Sequence, residues 1–341
     1  MIDKNRLVEQ SKEHIYRNYP VFAKDNKDGF DWILDHSVKE ARASYRKMAG
    51  FARVDPRFIS LGDHDILDIA FETLLVALCK NKIDKAERDL LELANELRGL
   101  SRSGVFFIGA GISFGSKIDW FTIRDCVLAC FQDMPRDYVE GLKEDWDAGG
   151  QRRERVWQEL ENKGKEPSFR RALHDNLTGR YPKSESPHVH LAFLIEQSIV
   201  EHLVCFNWDD LIEKACQQKS IGLEIRYRDE SGRPIDWFWK PHGCVNRLDL
   251  DFVLPHQEVF TNQDFIEAMR ISPIAPRARV VVCIGFSGDE RFNKERLREI
   301  VGSPPEVYDV RPSIGRFGEL GRHVPMVASY ALQRIVERMQ Q

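Results

Sequence analysis

Gly104-Val105-Phe106-Phe107-Ile108-Gly109-Ala110-Gly111-Ile112-Ser113 is the stretch whose reading decides the fold. Its first half is a short, continuous apolar run, the pattern of a strand buried on both faces as in a parallel sheet. Its second half is a glycine turn, and in a parallel sheet ligands bind at the carboxyl ends of the strands. Glycines there let the backbone turn sharply and approach a pyrophosphate with no Cβ in the way. The N–H groups and dipole of a following helix then hold the negative charge. The spacing is G-x-G-x-x-x-G, with Gly115 one place late for the usual dinucleotide fingerprint. No acidic residue follows about twenty positions on in a clear second strand. Read alone, the turn leaves a plain strand–helix connection open.

Three similar runs lie downstream: His202-Leu203-Val204-Cys205-Phe206, Val280-Val281-Val282-Cys283-Ile284 and Val307-Tyr308-Asp309-Val310. Long segments of helical character separate them, among them 191–200 and 211–216. Strands joined by helical crossovers predict an α/β domain, a Rossmann-like and mostly parallel sheet flanked by helices. Residues from about 123 to 185 are charged, contain no convincing strand, and read as a helical insertion. Upstream, 1–100 read as a helical N-terminal region suited to assembly or regulation, with 101–341 as the sheet domain. Within it Ile66, Ile69, Ala70, Leu74, Ala77 and Leu78 recur at helical spacing. Leu90, Leu91, Leu93, Ala94 and Leu97 do the same after a polar break around 80–84, and Gly99 stops the pattern. Residues 327–339 read as a final amphipathic helix.

Composition narrows the class. The chain has 341 residues, 42% hydrophobic and 30% charged, with a formal net charge of −4 and a pI near 6.2. These are ordinary values for a globular protein, without a general pull toward nucleic acid or anionic membrane. The densest basic run, Arg152, Arg153 and Arg155, reads as a solvated helix face. Seven cysteines are an odd number with no C-x-x-C pair, which argues for a reducing compartment and against a disulfide framework or a structural zinc site. The N-terminus has no apolar signal-peptide core, and no stretch approaches the length of a membrane span. A cytoplasmic protein with no metal is the expectation.

Further polar clusters end or follow the other strands. They are Cys205-Phe206-Asn207-Trp208-Asp209, Lys240-Pro241-His242-Gly243, Gly285-Phe286-Ser287-Gly288-Asp289 and Asp309-Val310-Arg311-Pro312. All converge on one rim of such a sheet. In this order the clusters resemble the sirtuin (SIR2) superfamily over roughly residues 101–312. The Gly-Ala-Gly-Ile-Ser turn looks like that family's opening NAD motif. Asn207 and Asp209 fall where its T-x-N-x-D motif places Asn and Asp, His242-Gly243 resembles its catalytic His-Gly, and Gly285 with Ser287 resembles its G-x-S contact to ribose and phosphate. The resemblance implies NAD⁺ as substrate. Asn207, His242 and Asp209 are then the catalytic residues, and Gly109, Ala110, Gly111, Ile112, Ser113, Gly285, Ser287, Asp289 and Asp309 the binding ones.

The departures sharpen the reading. The family's protein deacylases continue the first motif into Pro-Asp-Phe-Arg, where this chain has Asp119, Trp120, Phe121 and Thr122 and so lacks the Arg. They also carry a zinc ribbon of paired C-x-x-C motifs after the catalytic His, where this chain has about forty residues before the third strand, with Cys244 alone among them. The chain therefore looks more like the divergent bacterial SIR2-like branch, whose members hydrolyse NAD⁺ in antiphage defence. That resemblance implies a regulated NADase, a homo-oligomer, and a separate partner such as an ATPase (HerA-like) motor ring. A protein deacylase or ADP-ribosyltransferase, and a catalytically silent nucleotide-sensing scaffold, are the alternatives.

Cleaving the nicotinamide–ribose bond needs little acid assistance, because the leaving pyridinium is already charged. The site must hold the ribose, stabilise developing positive charge and deliver water. An Asn amide both donates and accepts, so Asn207 suits a ribose hydroxyl or the water. A His near its ordinary pKa of ~6.5 suits a base near neutrality. Asp209 and Asp210 are equally suited to capping the helix that follows. His188 and His190 precede a helix and read as capping or packing residues, and Trp208, Trp237 and Trp239 read as core.

Overall fold

The four apolar runs form strands in the computed structural model. It describes residues 4–54, 64–99, 104–113, 120–177, 179–223, 225–227, 238–247, 254, 279–285, 297–299, 306–312 and 321–341. They are β1 (Gly104–Ile108), β2 (Val200–Cys205), β5 (Val280–Ile284) and β6 (Glu306–Val310). Three further strands of three residues each, β3 (Ile225–Tyr227), β4 (Phe238–Lys240) and β7 (Arg322–Val324), extend the sheet at its two edges. The order is β3-β4-β2-β1-β5-β6-β7, and each neighbouring pair is parallel. β1, β2, β5 and β6 are buried almost throughout, which is why continuous apolar runs rather than alternation mark them.

The chain builds β1, moves outward through β2 to β3 and β4, and then crosses back to place β5 on the other side of β1. Such a reversal parts the crossovers at the carboxyl ends of the two central strands and leaves a crevice there. The β1 and β5 turns both empty into it. Helix α9 (Pro187–Glu196) leads into β2, α10 (Leu211–Gln218) leaves it, and α11 (Ala328–Met339) closes the chain.

Helices α1 (Lys4–Asn18), α2 (Pro20–Asp25), α3 (Lys27–Val54) and α4 (His64–Gly99) account for the expected helical first hundred residues. Their apolar side chains join one core with α9, α10, α11 and the sheet face formed by Phe106, Ile108, Val282 and Tyr308. Asn26 ties them to the C-terminal segment, donating to the Pro325 carbonyl at 3.1 Å and accepting from the Val327 amide at 2.7 Å. The expected polar break at 80–84 does not interrupt α4. Phe71, Leu75, Cys79, Ile83, Ala86 and Leu90 form one continuous buried stripe, and Ile69 and Ala77 lie on the exposed face. Charged neighbours mask Ile83 in the sequence, so apolar spacing alone places the stripe one face away from its true register.

The charged insertion is helical, as expected: α5 (Trp120–Ala129), α6 (Arg136–Ala148), α7 (Gly150–Asn162) and α8 (Glu166–Leu177). It has its own core, in which Trp157 meets Trp146 and Phe169 edge to face at 5.1 and 5.4 Å. The basic run lies on α7 and is spent locally. Arg152 and Arg155 pair with Asp145, and Arg153 reaches the Trp146 carbonyl and ring. All seven cysteines are buried free thiols. Among the described residues, no helix is long and apolar enough to cross a membrane.

Candidate functional site

The crevice floor is made of bare backbone. The Gly109 amide donates to the Ile284 carbonyl at 2.9 Å and the Gly111 amide to the Gly285 carbonyl at 2.7 Å. The turns after β1 and β5 are thereby locked together. Gly285 has φ +73°, a left-handed conformation that L side chains resist, and a Cβ there would sit 2.7 Å from the Ile112 nitrogen. A Cβ on Gly111 would sit 2.7 Å from Gly285 Cα. Two glycines from distant parts of the chain thus meet where a Cβ on either would obstruct the other.

The five turn residues divide by direction. Ala110 and Gly111 are partly exposed at the crevice, whereas Ile112 packs in the core and Ser113 is buried. Ile112 and Ser113 were expected among the ligand contacts, and their side chains point inward instead. The Ile112 and Ser113 amides donate to Gly109 and Ala110 carbonyls, closing a 3₁₀ turn over 110–112. The Ile112 and Ser113 amides are therefore engaged inside the protein.

Ser113 is the hub of a buried network. Its hydroxyl donates to Asp209 Oδ2 at 2.8 Å and accepts from Asn207 Nδ2 at 3.1 Å. His188 Nε2 lies 3.2 Å from the same oxygen. With the only hydroxyl proton given to Asp209, His188 must donate through Nε2–H, which leaves Nδ1 to accept from Ser186 Oγ at 2.7 Å. One donated and two accepted bonds saturate the Ser113 oxygen. Ser186 also caps α9 by accepting the His188 amide. His188 therefore packs, as expected, and also holds the Asn207 cluster to α9.

Asp209 serves this scaffold. Its Oδ1 accepts from the Leu211 amide at 3.1 Å at the start of α10, while Oδ2 takes Ser113. Both oxygens of this residue, expected to act in catalysis, are engaged within the protein. Trp208 turns away into the insertion core, 5.8 Å from Phe169 and 6.1 Å from Trp157. Asn207 and Asp209 are thus anchored on one side by the sheet and on the other by the insertion.

His242 follows β4 in a turn closed by the Gly243 amide on the Lys240 carbonyl at 3.0 Å, with Gly243 at φ +83°. Its Nδ1 lies 3.1 Å from the carbonyl oxygen of Phe206, the residue before Asn207, and its ring meets Phe206 edge to face. A carbonyl only accepts, so Nδ1 carries the proton and Nε2 carries the basic lone pair. His242 is half-buried at the rim. The structure brings Asn207 and His242 to the same end of the sheet, as the sequence predicts.

Asp309, expected among the ligand contacts, is instead buried in β6 and paired with Arg311 at 3.2 Å. Ser287 and Asp289 lie outside the described residues, as does Trp237. Lys240, quoted in the sequence only as a neighbour of His242, is wholly buried beside Glu213. Its signal was the strand itself, since Phe238 and Lys240 alternate onto one face. Among the described residues, no group of three His, Cys, Asp or Glu is placed to hold a metal ion.

Burial pushes the His188 imidazole down to about 4, helped by the Lys240 charge and opposed by Asp209. A folded pKa below the unfolded ~6.5 means that only the unfolded chain takes up the proton as pH falls between those values. Stability is unaffected by His188 above pH 6.5 and falls by about 3 kcal/mol between pH 6.5 and 4. Urea unfolding of wild type and His188→Gln at both pH values measures this. A wild-type loss no larger than the variant's would contradict it.

No family model matches the chain, and no curated protein matches it in sequence. Among solved structures it is similar to a Sir2 protein, Sir2Tm, bound to a propionylated peptide. That likeness has 15% identity and a TM-score of 0.42, covering 72% of this chain and 97% of the other. It is also similar to a Sir2 bound to an acetylated peptide, at 16% identity and a TM-score of 0.39 over the same shares of the two chains.

Proposed function

We propose that this chain is an NAD⁺ glycohydrolase that releases nicotinamide and ADP-ribose. The observation that carries the reading is the tautomer of His242: Nδ1 held on the carbonyl of Phe206, the residue before Asn207, leaves Nε2 as the basic nitrogen. Bound NAD⁺ supplies a charged leaving group, so water attack is assisted by a base and an orienting amide more than by an acid. His242 Nε2 takes the proton of that water. The Asn207 carbonyl oxygen orients the water or a ribose hydroxyl, while its Nδ2 is pinned to Ser113. The Gly111–Gly285 contact fits a dinucleotide site, because it draws the β1 and β5 turns together at the carboxyl ends of the two central strands, where a parallel sheet with this reversal binds its ligand.

The same reading carries the wider role implied by the resemblance: a regulated effector that depletes NAD⁺ in antiphage defence. It acts as a cytoplasmic homo-oligomer restrained or licensed by a partner such as a HerA-like ATPase. An unregulated NADase empties its own cell of cofactor, which is why restraint belongs to the proposal. The missing Arg at Thr122 and the solitary Cys244 favour hydrolysis over deacylation.

Purified protein, alone and with the product of a neighbouring gene, is to be incubated with NAD⁺ and the products separated chromatographically. Equimolar nicotinamide and ADP-ribose are expected without any acyl peptide. Turnover that appears only with an acylated peptide would replace this reading with a deacylase, and binding without turnover would replace it with a sensor.

A further inference from the structure

Lys240 is the one lysine of the described core that is wholly buried, and the scheme above leaves it without a role. Its ammonium has three protons and three acceptors. They are the Asp209 carbonyl, Glu213 Oε1 at 2.7 Å and Cys244 Sγ at 3.5 Å. Burial alone lowers a lysine's pKa. Here the Glu213 and Asp209 carboxylates oppose it, and the group is held well above its ordinary value, so it stays charged.

Each acceptor belongs to a different part of the site. Asp209 sits in the loop that carries Asn207, Glu213 is in the first turn of α10, and Cys244 follows the His242 turn. Lys240 itself ends β4 two residues before His242. One nitrogen therefore joins the segment bearing Asn207 to the segment bearing His242. The pair is a poor device for stability alone. Glu213 Oε2 is buried without a hydrogen-bond partner among the described residues, and a buried ion pair left partly unsatisfied is often no better than apolar side chains of the same volume.

We propose that Lys240 is a positioning residue, a buried ammonium clamp that sets Asn207 and His242 at working separation. The role rests on the NAD⁺ hydrolase reading, but the clamp itself can be tested without it. Lys240→Met leaves the Glu213 carboxylate buried and unpaired, and loss of folding there would be uninformative. The double variant Lys240→Met/Glu213→Leu removes both charges and is the deciding protein.

Hydrogen–deuterium exchange of the full chain reads the clamp directly. The double variant is expected to exchange faster than wild type in both 206–213 and 241–247, while 104–108 and 280–284 stay protected as in wild type. Thermal unfolding is expected to match wild type, and kcat for NAD⁺ cleavage to fall by about 10²-fold, the cost of a misplacement near 1 Å, with KM little changed. Wild-type exchange in both segments, or wild-type kcat in the folded double variant, overturns the clamp. A wild-type protein that does not cleave NAD⁺ overturns the functional reading instead, while the exchange result still decides the clamp.

Discussion

Gly285→Ala is expected to abolish NAD⁺ binding and to lower the melting temperature by on the order of 10 °C. Two costs add at this residue. An L side chain at φ +73° loses about 1–2 kcal/mol, and a Cβ placed 2.7 Å from the Ile112 nitrogen forces an overpacked contact worth about 1–3 kcal/mol more. The neighbour that would have to give is main chain, already fixed by the Gly111 amide on the Gly285 carbonyl, so no side-chain rotation relieves it. Together the costs take a large share of the ~5–15 kcal/mol that holds a typical domain folded. Gly111→Ala separates the two, because Gly111 meets Gly285 without the left-handed penalty and should lose less stability while still forcing the two turns apart. Thermal unfolding and isothermal titration with NAD⁺ measure both variants. Wild-type melting together with wild-type binding in Gly285→Ala would mean that the two turns do not touch as described.

That contact shows what sequence reading reaches and what it misses. Both turns were legible as glycine-bearing ends of apolar runs, because a strand buried on two faces leaves a continuous signature. Nothing local says that Gly111 and Gly285, far apart in sequence, share one van der Waals contact. β3, β4 and β7 escaped for a related reason: three residues are too few to establish a period, and their place is set by pairing with strands already formed. The same limit governs the site. That Asn207 and His242 lie at the same end of the sheet was legible through motif order. Ser113 and Asp309 were assigned to ligand and Asp209 to catalysis through the same motif order, which carries no record of side-chain partners; the structure pairs Ser113 with Asp209 and Asp309 with Arg311. Lys240 was missed because a lysine in sequence reads as surface. Its place on one strand face with Phe238 is a slight signal, and its buried acceptors make the case.

His242→Ala is expected to reduce kcat for NAD⁺ cleavage by about 10²–10⁴-fold, the usual worth of a positioned general base. Folding and NAD⁺ affinity are expected to survive, and the geometry says why. The imidazole is half-buried at the rim, and its side-chain bond to the Phe206 carbonyl is one that water can replace once the ring is gone. The turn that carries it is closed by backbone, from the Gly243 amide to the Lys240 carbonyl, and does not depend on the side chain. Asn207→Ala should behave differently. It removes a donor to the buried Ser113 oxygen, so it loosens the Asp209–His188 network and weakens stability and turnover together. The contrast between the two variants separates a base from a residue that also supports the scaffold. Product chromatography gives kcat, titration gives affinity and unfolding gives stability. A His242→Ala protein that folds, binds and still cleaves NAD⁺ at the wild-type rate would leave Nε2 without a catalytic role, because nothing in the tautomer argument survives loss of the ring.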